Sequence, residues 1–140
     1  MEISEDVKTV HKKAVEALSN SHSPYSQLKV AAGLKLSGCD EIICGVNVEN
    51  ASYGATICAE RSALCSSISQ FGTSQKFSFI VVISTFKGGP IPPCGMCLQF
   101  LQEFVAPDFP VYLGDEKSLT KKYLFSELVP HGFQNDMLPQ

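Results

Sequence analysis

Two short stretches hold the residues best suited to chemistry: Cys58-Ala59-Glu60-Arg61, and Pro93-Cys94-Gly95-Met96-Cys97 further along the chain. A Cys-x-x-Cys pair lets both sulfurs reach one tetrahedral ion from the first turn of a helix, and a third cysteine from elsewhere closes a third corner. Structural zinc is normally closed by four protein ligands. Three thiolates from Cys58, Cys94 and Cys97 leave the fourth corner to water, which is the arrangement of a catalytic centre. Zinc brings the pKa of such a water from about 15.7 to about 7. A carboxylate nearby can then move its proton, and Glu60, two residues from Cys58, is placed to do so. A divalent ion with three thiolates keeps one excess negative charge. Two helix N-termini aimed at the cysteines, together with Arg61, offset it.

The Cys-x-x-Cys pair has two other readings. A redox dithiol also uses a cysteine acidified at a helix N-terminus, but Pro-Cys-Gly-Met-Cys lacks the aromatic residue that often precedes such a pair, and that reading leaves Cys58-Ala-Glu unused. A closed structural zinc module is the stronger competitor, with Cys39 and Cys44 joining Cys94 and Cys97 in a binding protein without catalysis. Otherwise Cys39, Cys44 and Cys65 read as small, partly buried thiols. His11, His22 and His131 sit at unrelated places and are not needed as ligands.

The elements that must position these residues follow from periodicity. Val7, Val10, Ala14, Val15 and Leu18 recur at helical spacing after Ser4, with Glu5 and Asp6 suited to the positive end of the helix dipole. Turn formers fill Asn20 to Tyr25. Leu28, Val30, Ala32, Leu34 and Leu36 alternate, Ser37-Gly38-Cys39-Asp40 makes a turn, and the run Ile42 to Val48 returns, which predicts a β-hairpin. A polar loop over Asn50 to Thr56 leads into a helix from about Cys58 to Gln70, with Ala63, Leu64, Ile68 and Phe71 as its buried stripe. The β-branched run Phe77 to Ile83 predicts a central strand covered on both faces. A third helix begins near Gly95, with Cys97, Phe100, Leu101, Phe104 and Val105 on one side, and Pro107 ends it. Phe109 to Leu113 supplies a strand, Ser118 to Phe125 an edge strand, and Ser126 to Val129 a helical turn. The order α-β-β-α-β-α-β predicts a mixed sheet of about five strands sandwiched by helices, with both cysteine stretches at loop-to-helix junctions.

Composition narrows the function classes. The chain has 140 residues, 44% of them apolar and 18% charged, which fits one domain over 1–140 and excludes a disordered chain. Eleven basic residues against fourteen acidic ones give a net charge of −3, a poor basis for neutralising phosphates, and Lys121-Lys122 reads as a solvated pair. Six cysteines fall short of a disulfide scaffold, and no charged-then-apolar leader or membrane-length run appears. The expectation is a soluble cytoplasmic protein that engages neither nucleic acid nor membrane.

The chain resembles the zinc cytidine deaminases, small homotetrameric members of the cytidine/deoxycytidylate deaminase family. The resemblance runs through Ser23-Pro24-Tyr25-Ser26, Gly45-Val46-Asn47-Val48-Glu49-Asn50-Ala51-Ser52-Tyr53, Ile57-Cys58-Ala59-Glu60-Arg61, Pro93-Cys94-Gly95-Met96-Cys97-Leu98-Gln99 and Leu128-Val129-Pro130-His131-Gly132-Phe133. It implies a three-layer α-β-α fold and one zinc per chain on Cys58, Cys94 and Cys97. Glu60 would be the proton shuttle in hydrolysis of cytidine or deoxycytidine to the uridine nucleoside and ammonia, a step of pyrimidine salvage. Asn47 and Glu49 would bind the ribose 3′-hydroxyl, with backbone at Ala51 and the ring of Tyr53 bordering the pocket. Phe133, an exposed aromatic in a lone chain, would reach a neighbouring subunit's pocket within a homotetramer and stack on the pyrimidine. A deaminase of a cytosine-nucleoside antibiotic would keep the metal site and change the sugar contacts. Two positions depart from the family pattern: Leu98, where Arg is common, and Leu28, where a Phe commonly packs on the base.

Overall fold

Ser4 starts the first helix, α1 (Glu5–Leu18): its hydroxyl accepts a hydrogen bond from Val7 N at 3.3 Å, and Glu5 and Asp6 occupy the first turn. The computed structural model describes residues 1–139; Gln140, the last residue of the expected 1–140 domain, lies outside the described residues. After α1 come β1 (Val30–Leu36), β2 (Ile42–Val46), α2 (Ala59–Phe71), β3 (Phe77–Ser84), α3 (Gly95–Gln102), β4 (Pro110–Gly114), β5 (Leu119–Leu124) and the single turn α4 (Phe125–Leu128). Short 3-10 turns cover Tyr53–Ala55 and Asn135–Met137.

The five strands form one mixed sheet in the order β2-β1-β3-β4-β5. β1 is antiparallel to both β2 and β3, β3 is parallel to β4, and β4 is antiparallel to β5. Strands β2, β3 and β4 therefore run the same way. Two right-handed crossovers that advance in one direction along a sheet must lay their helices on the same face. That rule puts α2 and α3 side by side, with both N-termini at the edge where β2 and β3 end.

Each face of the sheet buries its own core. Ala32, Leu34, Ile80, Val82, Val111 and Leu113 pack with Ala59, Ala63 and Leu64 of α2, Leu101 of α3 and Phe125 of α4. On the opposite face Ala31, Phe79, Val81, Ile83 and Tyr112 pack with Val7, Val10, Ala14 and Leu18 of α1. Successive β3 residues alternate between these cores, so β3 is covered on both faces, as its uninterrupted apolar run predicts. The architecture is the expected three-layer α-β-α sandwich. Among the described residues no helix is long and apolar enough to cross a membrane.

Three local expectations are corrected. β2 ends at Val46; Asn47 lies beyond it, and Val48 continues only as single bridges to His22 and Ile57. α3 stops at Gln102, before Val105, where the amide of Phe104 takes the carbonyl three residues back, Leu101 O at 2.9 Å, and breaks the four-residue pattern. On α2 the buried stripe is Ala59, Glu60, Ala63, Leu64 and Ser67, while Phe71 at the helix end is exposed. The small residues in that stripe match a close approach. A Cβ on Gly45 of β2 would meet Ala63 N and come within 2.6 Å of Ala59 O, so helix backbone rests directly on strand backbone.

Candidate active site

The seat on Gly45 fixes the first turn of α2, the turn that carries Cys58 and Glu60. Cys58 is the N-cap of α2 and Cys94 the N-cap of α3, both with extended backbone and neither with a side-chain capping hydrogen bond. Their sulfurs are left to face one another. The Sγ atoms of Cys58 and Cys94 are 3.8 Å apart, and those of Cys58, Cys94 and Cys97 all lie within 4.8 Å of one another. Sulfurs bound to zinc at about 2.3 Å in tetrahedral geometry stand about 3.8 Å apart, so the three cysteines fit the ion. Cys39 and Cys44 do not join them: among the described residues the group able to hold a metal is Cys58, Cys94 and Cys97. The closed four-cysteine module is thereby overturned.

Arg61 supplies a positive charge directly at the sulfurs. Its Nε donates to Cys97 Sγ at 3.4 Å and its Nη2 to Cys58 Sγ at 3.5 Å. The Cys58 thiol is pulled down to about 5, first by the hydrogen bond from Cys97 and further by Arg61. Cys97 is pushed up because it keeps the proton that Cys58 gives away, and burial adds to this. The two shifts describe one shared proton. The cluster loses its first proton readily, as a metal site requires.

Glu60 is 5% exposed, and burial pushes its carboxyl up to about 7, with the neighbouring Cys58 acting in the same direction. A carboxyl poised there can both take and give a proton near neutral pH. It lines a cavity of about 200 Å³ together with Cys58 and Cys94. Leu28, Val30, Val82, Ile91 and Pro92 form an apolar wall of that cavity, and Asn47 and Thr56 contribute polar groups. Thr56 also borders a second cavity of about 350 Å³, lined with Tyr25, Ser26, Glu49, Asn50 and Tyr53. The two spaces share Thr56 in their linings; the first ends at the thiols, and the second is more open and mostly apolar, with Glu49, Ser26 and Asn50 as its polar groups.

The remaining expected residues fall in different places. Asn47 is buried and already engaged: Nδ2 donates to Leu28 O at 2.8 Å, and Oδ1 accepts from Val30 N at 2.9 Å and from the Ser21 hydroxyl. One Nδ2 hydrogen remains for a ligand in the cavity. Glu49 accepts from Tyr25 N and Ser26 N, both at 3.1 Å, and from the Ser26 hydroxyl. Tyr53 is 77% exposed, with its ring edge-on to Tyr25 at 6.3 Å. Ala51 is exposed on the adjoining loop and lines neither cavity. Phe133 is also exposed and lines neither; its carbonyl accepts from Gln99 Nε2 at 3.0 Å, which ties the C-terminal segment to α3. Leu98 packs half-buried against the α2–α3 core.

Sequence reasoning left Thr56, Ile91 and Pro92 without roles. Ile91 and Pro92 lie just before Cys94 in the Gly/Pro-rich loop and Thr56 just before Cys58, so closeness in sequence to the ligands was the available signal.

Comparison with known proteins agrees with this geometry. Residues 4–113 match the family model described as the cytidine and deoxycytidylate deaminase zinc-binding region. A cytidine deaminase of Halalkalibacterium halodurans is 38% identical over 128 residues, covering 91% of this chain and 94% of that protein. A probable cytidine deaminase of Dictyostelium discoideum is 42% identical over 130 residues, covering 90% of this chain and 85% of the relative. The crystal structure of cytidine deaminase from Burkholderia pseudomallei superposes with a TM-score of 0.83 at 32% identity, covering 94% of this chain and all of that one. With its three clustered thiols, its buried carboxyl and a matched region that spans most of its length, the chain belongs to the cytidine and deoxycytidylate deaminase zinc-binding family.

Proposed function

We propose that this chain is a single-domain, zinc-dependent hydrolase that converts cytidine and deoxycytidine to uridine and deoxyuridine with release of ammonia. The observation that carries this reading is the buried Glu60 beside three clustered thiols, at the end of an apolar cavity that adjoins a more open one bearing the Glu49 carboxylate. A pyrimidine ring suits the first space and a sugar the second. The named substrate of the relatives, cytidine, has both parts in that order.

Cys58, Cys94 and Cys97 hold the zinc, and Arg61 offsets their charge. When bound, zinc supplies a Lewis acid that makes a water acidic enough to lose a proton near neutral pH. Glu60 takes a proton from the water that attacks C4 and delivers it to ring N3; it then takes the second proton from the new C4 hydroxyl and passes it to the departing amine, so that C4=O forms as ammonia leaves. The apolar wall with Leu28, Val82, Ile91 and Pro92 excludes bulk water from the ring and strengthens each of these proton transfers. Asn47 and Glu49 take the 3′-hydroxyl, and the loop carrying Ala51 and Tyr53 borders the sugar. Glu49, open to solvent on its cavity side, has lone pairs beyond those used by Tyr25 and Ser26.

Phe133 is too exposed to be finished within one chain. It supplies the outer wall of a neighbouring copy's pocket, in a homotetramer working in cytoplasmic pyrimidine salvage. The test of the whole reading is to follow loss of the cytosine absorbance with zinc-loaded protein and cytidine. Glu60→Gln is expected to lower turnover by roughly 10²–10⁴-fold while retaining zinc. A zinc-replete wild type inert toward both cytidine and deoxycytidine would sink the reading; undiminished turnover in Glu60→Gln would sink the mechanism alone.

A further inference from the structure

Residues 21 to 30 form a loop wrapped around the chain segment Asn47-Val48-Glu49. His22 N donates to Asn47 O at 3.1 Å, Glu49 N to His22 O at 2.8 Å, and Asn47 N to Val30 O at 3.1 Å. Within this wrap Ser26 makes the greatest number of contacts with Glu49. Its amide and its hydroxyl both donate to that carboxylate, one to each oxygen. The same hydroxyl accepts from Leu28 N at 3.0 Å. Its single proton is thereby directed at Glu49, because the lone pair facing Leu28 is already taken.

The backbone is bent to permit this. Gln27, between Ser26 and Leu28, has a φ of 62°, the one positive value outside glycine among the described residues. Such a conformation is costly for a residue with a Cβ and persists where the surroundings over-determine it. Here Gln27 N donates to Ser23 O at 3.0 Å and its side-chain Nε2 to Pro24 O at 3.3 Å. The bend delivers Leu28 to the apolar wall of the cavity at the thiols while Ser26 stays against Glu49 in the adjoining cavity.

We infer that Ser26 is a positioning residue for the reaction, fixing the rotamer of Glu49 so that its remaining lone pairs face the sugar 3′-hydroxyl. This rests on the functional reading above, and it assigns the Ser-Pro-Tyr-Ser segment a task that neither the metal nor the base requires. A carboxylate held by three donors has lost its rotamer freedom before the nucleoside arrives, so binding does not have to supply that ordering. Ser26 touches no reacting atom. Its effect therefore falls on substrate binding and on the sugar alone.

The experiment compares wild type, Ser26→Ala and Ser26→Thr, all zinc-loaded, on cytidine and on 3′-deoxycytidine. Ser26→Ala is expected to raise KM for cytidine about five- to tenfold, with kcat within about twofold, as loss of a hydrogen bond to a charged group predicts. Ser26→Thr, which keeps the hydroxyl, restores the wild-type KM. On 3′-deoxycytidine, where Glu49 has no hydroxyl to hold, wild type and Ser26→Ala share one KM. As a readout independent of turnover, the Glu49 carboxyl, held below the ordinary range first by the Ser26 side chain, titrates higher by NMR in Ser26→Ala. An unchanged KM for cytidine, an equal rise on both nucleosides, or no rescue by Thr would each overturn the inference while leaving the deaminase reading intact. A wild type that turns over neither nucleoside overturns both.

Discussion

Two kinds of helix start are found in this molecule. α1 begins conventionally: Ser4 caps Val7 N, acidic residues fill the first turn, and the helix packs on the sheet face remote from the thiols. α2 and α3 begin with Cys58 and Cys94, whose side chains cap nothing and turn to each other. A helix without a side-chain cap gives up about 1 kcal/mol. At α2 and α3 the unsatisfied amide ends instead add positive potential beside three sulfurs and Arg61. Local stability is exchanged for a metal site on one face and kept on the other.

The sharpest way to break this contrast is to turn a chemical N-cap into a structural one. Cys94→Ser places a strong capping residue at α3, so the metal-free protein is expected to melt no lower than metal-free wild type, and up to about 1 kcal/mol more stable. Turnover is expected to fall more than about 100-fold with loss of bound zinc. Elemental analysis, the cytidine assay and melts in chelator measure all three, and a variant that keeps zinc and turnover refutes the assignment of Cys94.

Next in size are the two glycines beneath the helices. A Cβ on Gly45 meets backbone of α2, whereas a Cβ on Gly33 meets the Val10 side chain of α1, Cγ1 lying 2.5 Å away. A side chain can shift and a helix backbone cannot without moving the whole helix. Gly45→Ala is expected to cost about 1–3 kcal/mol and to lower kcat by displacing Cys58 and Glu60. Gly33→Ala is expected to cost less and to leave kcat unchanged, and equal losses of activity in the two variants would show that the site is not seated on Gly45. Ser4→Ala is smaller again. It should cost about 1 kcal/mol in the melt with kcat/KM unaltered, since α1 contributes nothing to either cavity.

The smallest effect is a pH dependence. Glu49 titrates below the ordinary carboxylate range because Ser26, first through its side chain, donates to it. A depressed carboxylate stabilises the fold above its unfolded pKa and loses that contribution as pH falls through the folded value. The melting difference between wild type and Glu49→Gln is therefore expected to be constant at neutral pH and to shrink below about pH 4.5. A difference that grows on acidification would contradict the hydrogen bonds from Ser26.

How much of this can be read from the chain depends on how local the cause is. The grouping of Cys58, Cys94 and Cys97 follows from the Cys-x-x-Cys spacing and from both stretches lying at helix starts, whereas the burial of Glu60 does not, since helical spacing favours the stripe through Ile68 and Phe71. The double coverage of β3 follows from its uninterrupted apolar run, whereas the strand order β2-β1-β3-β4-β5 depends on long-range pairing that local pattern does not carry. Phe71 shows the opposite case. Helical spacing offers two overlapping stripes on α2, and the sheet takes the one with Ser67 because only small residues allow contact with Gly45. Asn47 and Glu49 are visible as polar residues near a strand end, but their partners Leu28, Val30 and Ser26 come from a loop about twenty residues earlier, beyond the reach of periodicity.

The backbone seat at Gly45 also bears on what the protein can become. Main-chain atoms of Gly45, Ala59 and Ala63 set the height of α2 above the sheet, and the wall residues Leu28 and Ile91 lie outside the core that packs against α2. Leu28 or Ile91 can be exchanged without shifting Cys58 or Glu60, whereas Val82, packed in the core beneath α2, cannot. Substrate preference and bond-breaking chemistry are thus mechanically insulated, and new nucleoside specificities are open to this scaffold through single wall substitutions that leave the metal centre undisturbed.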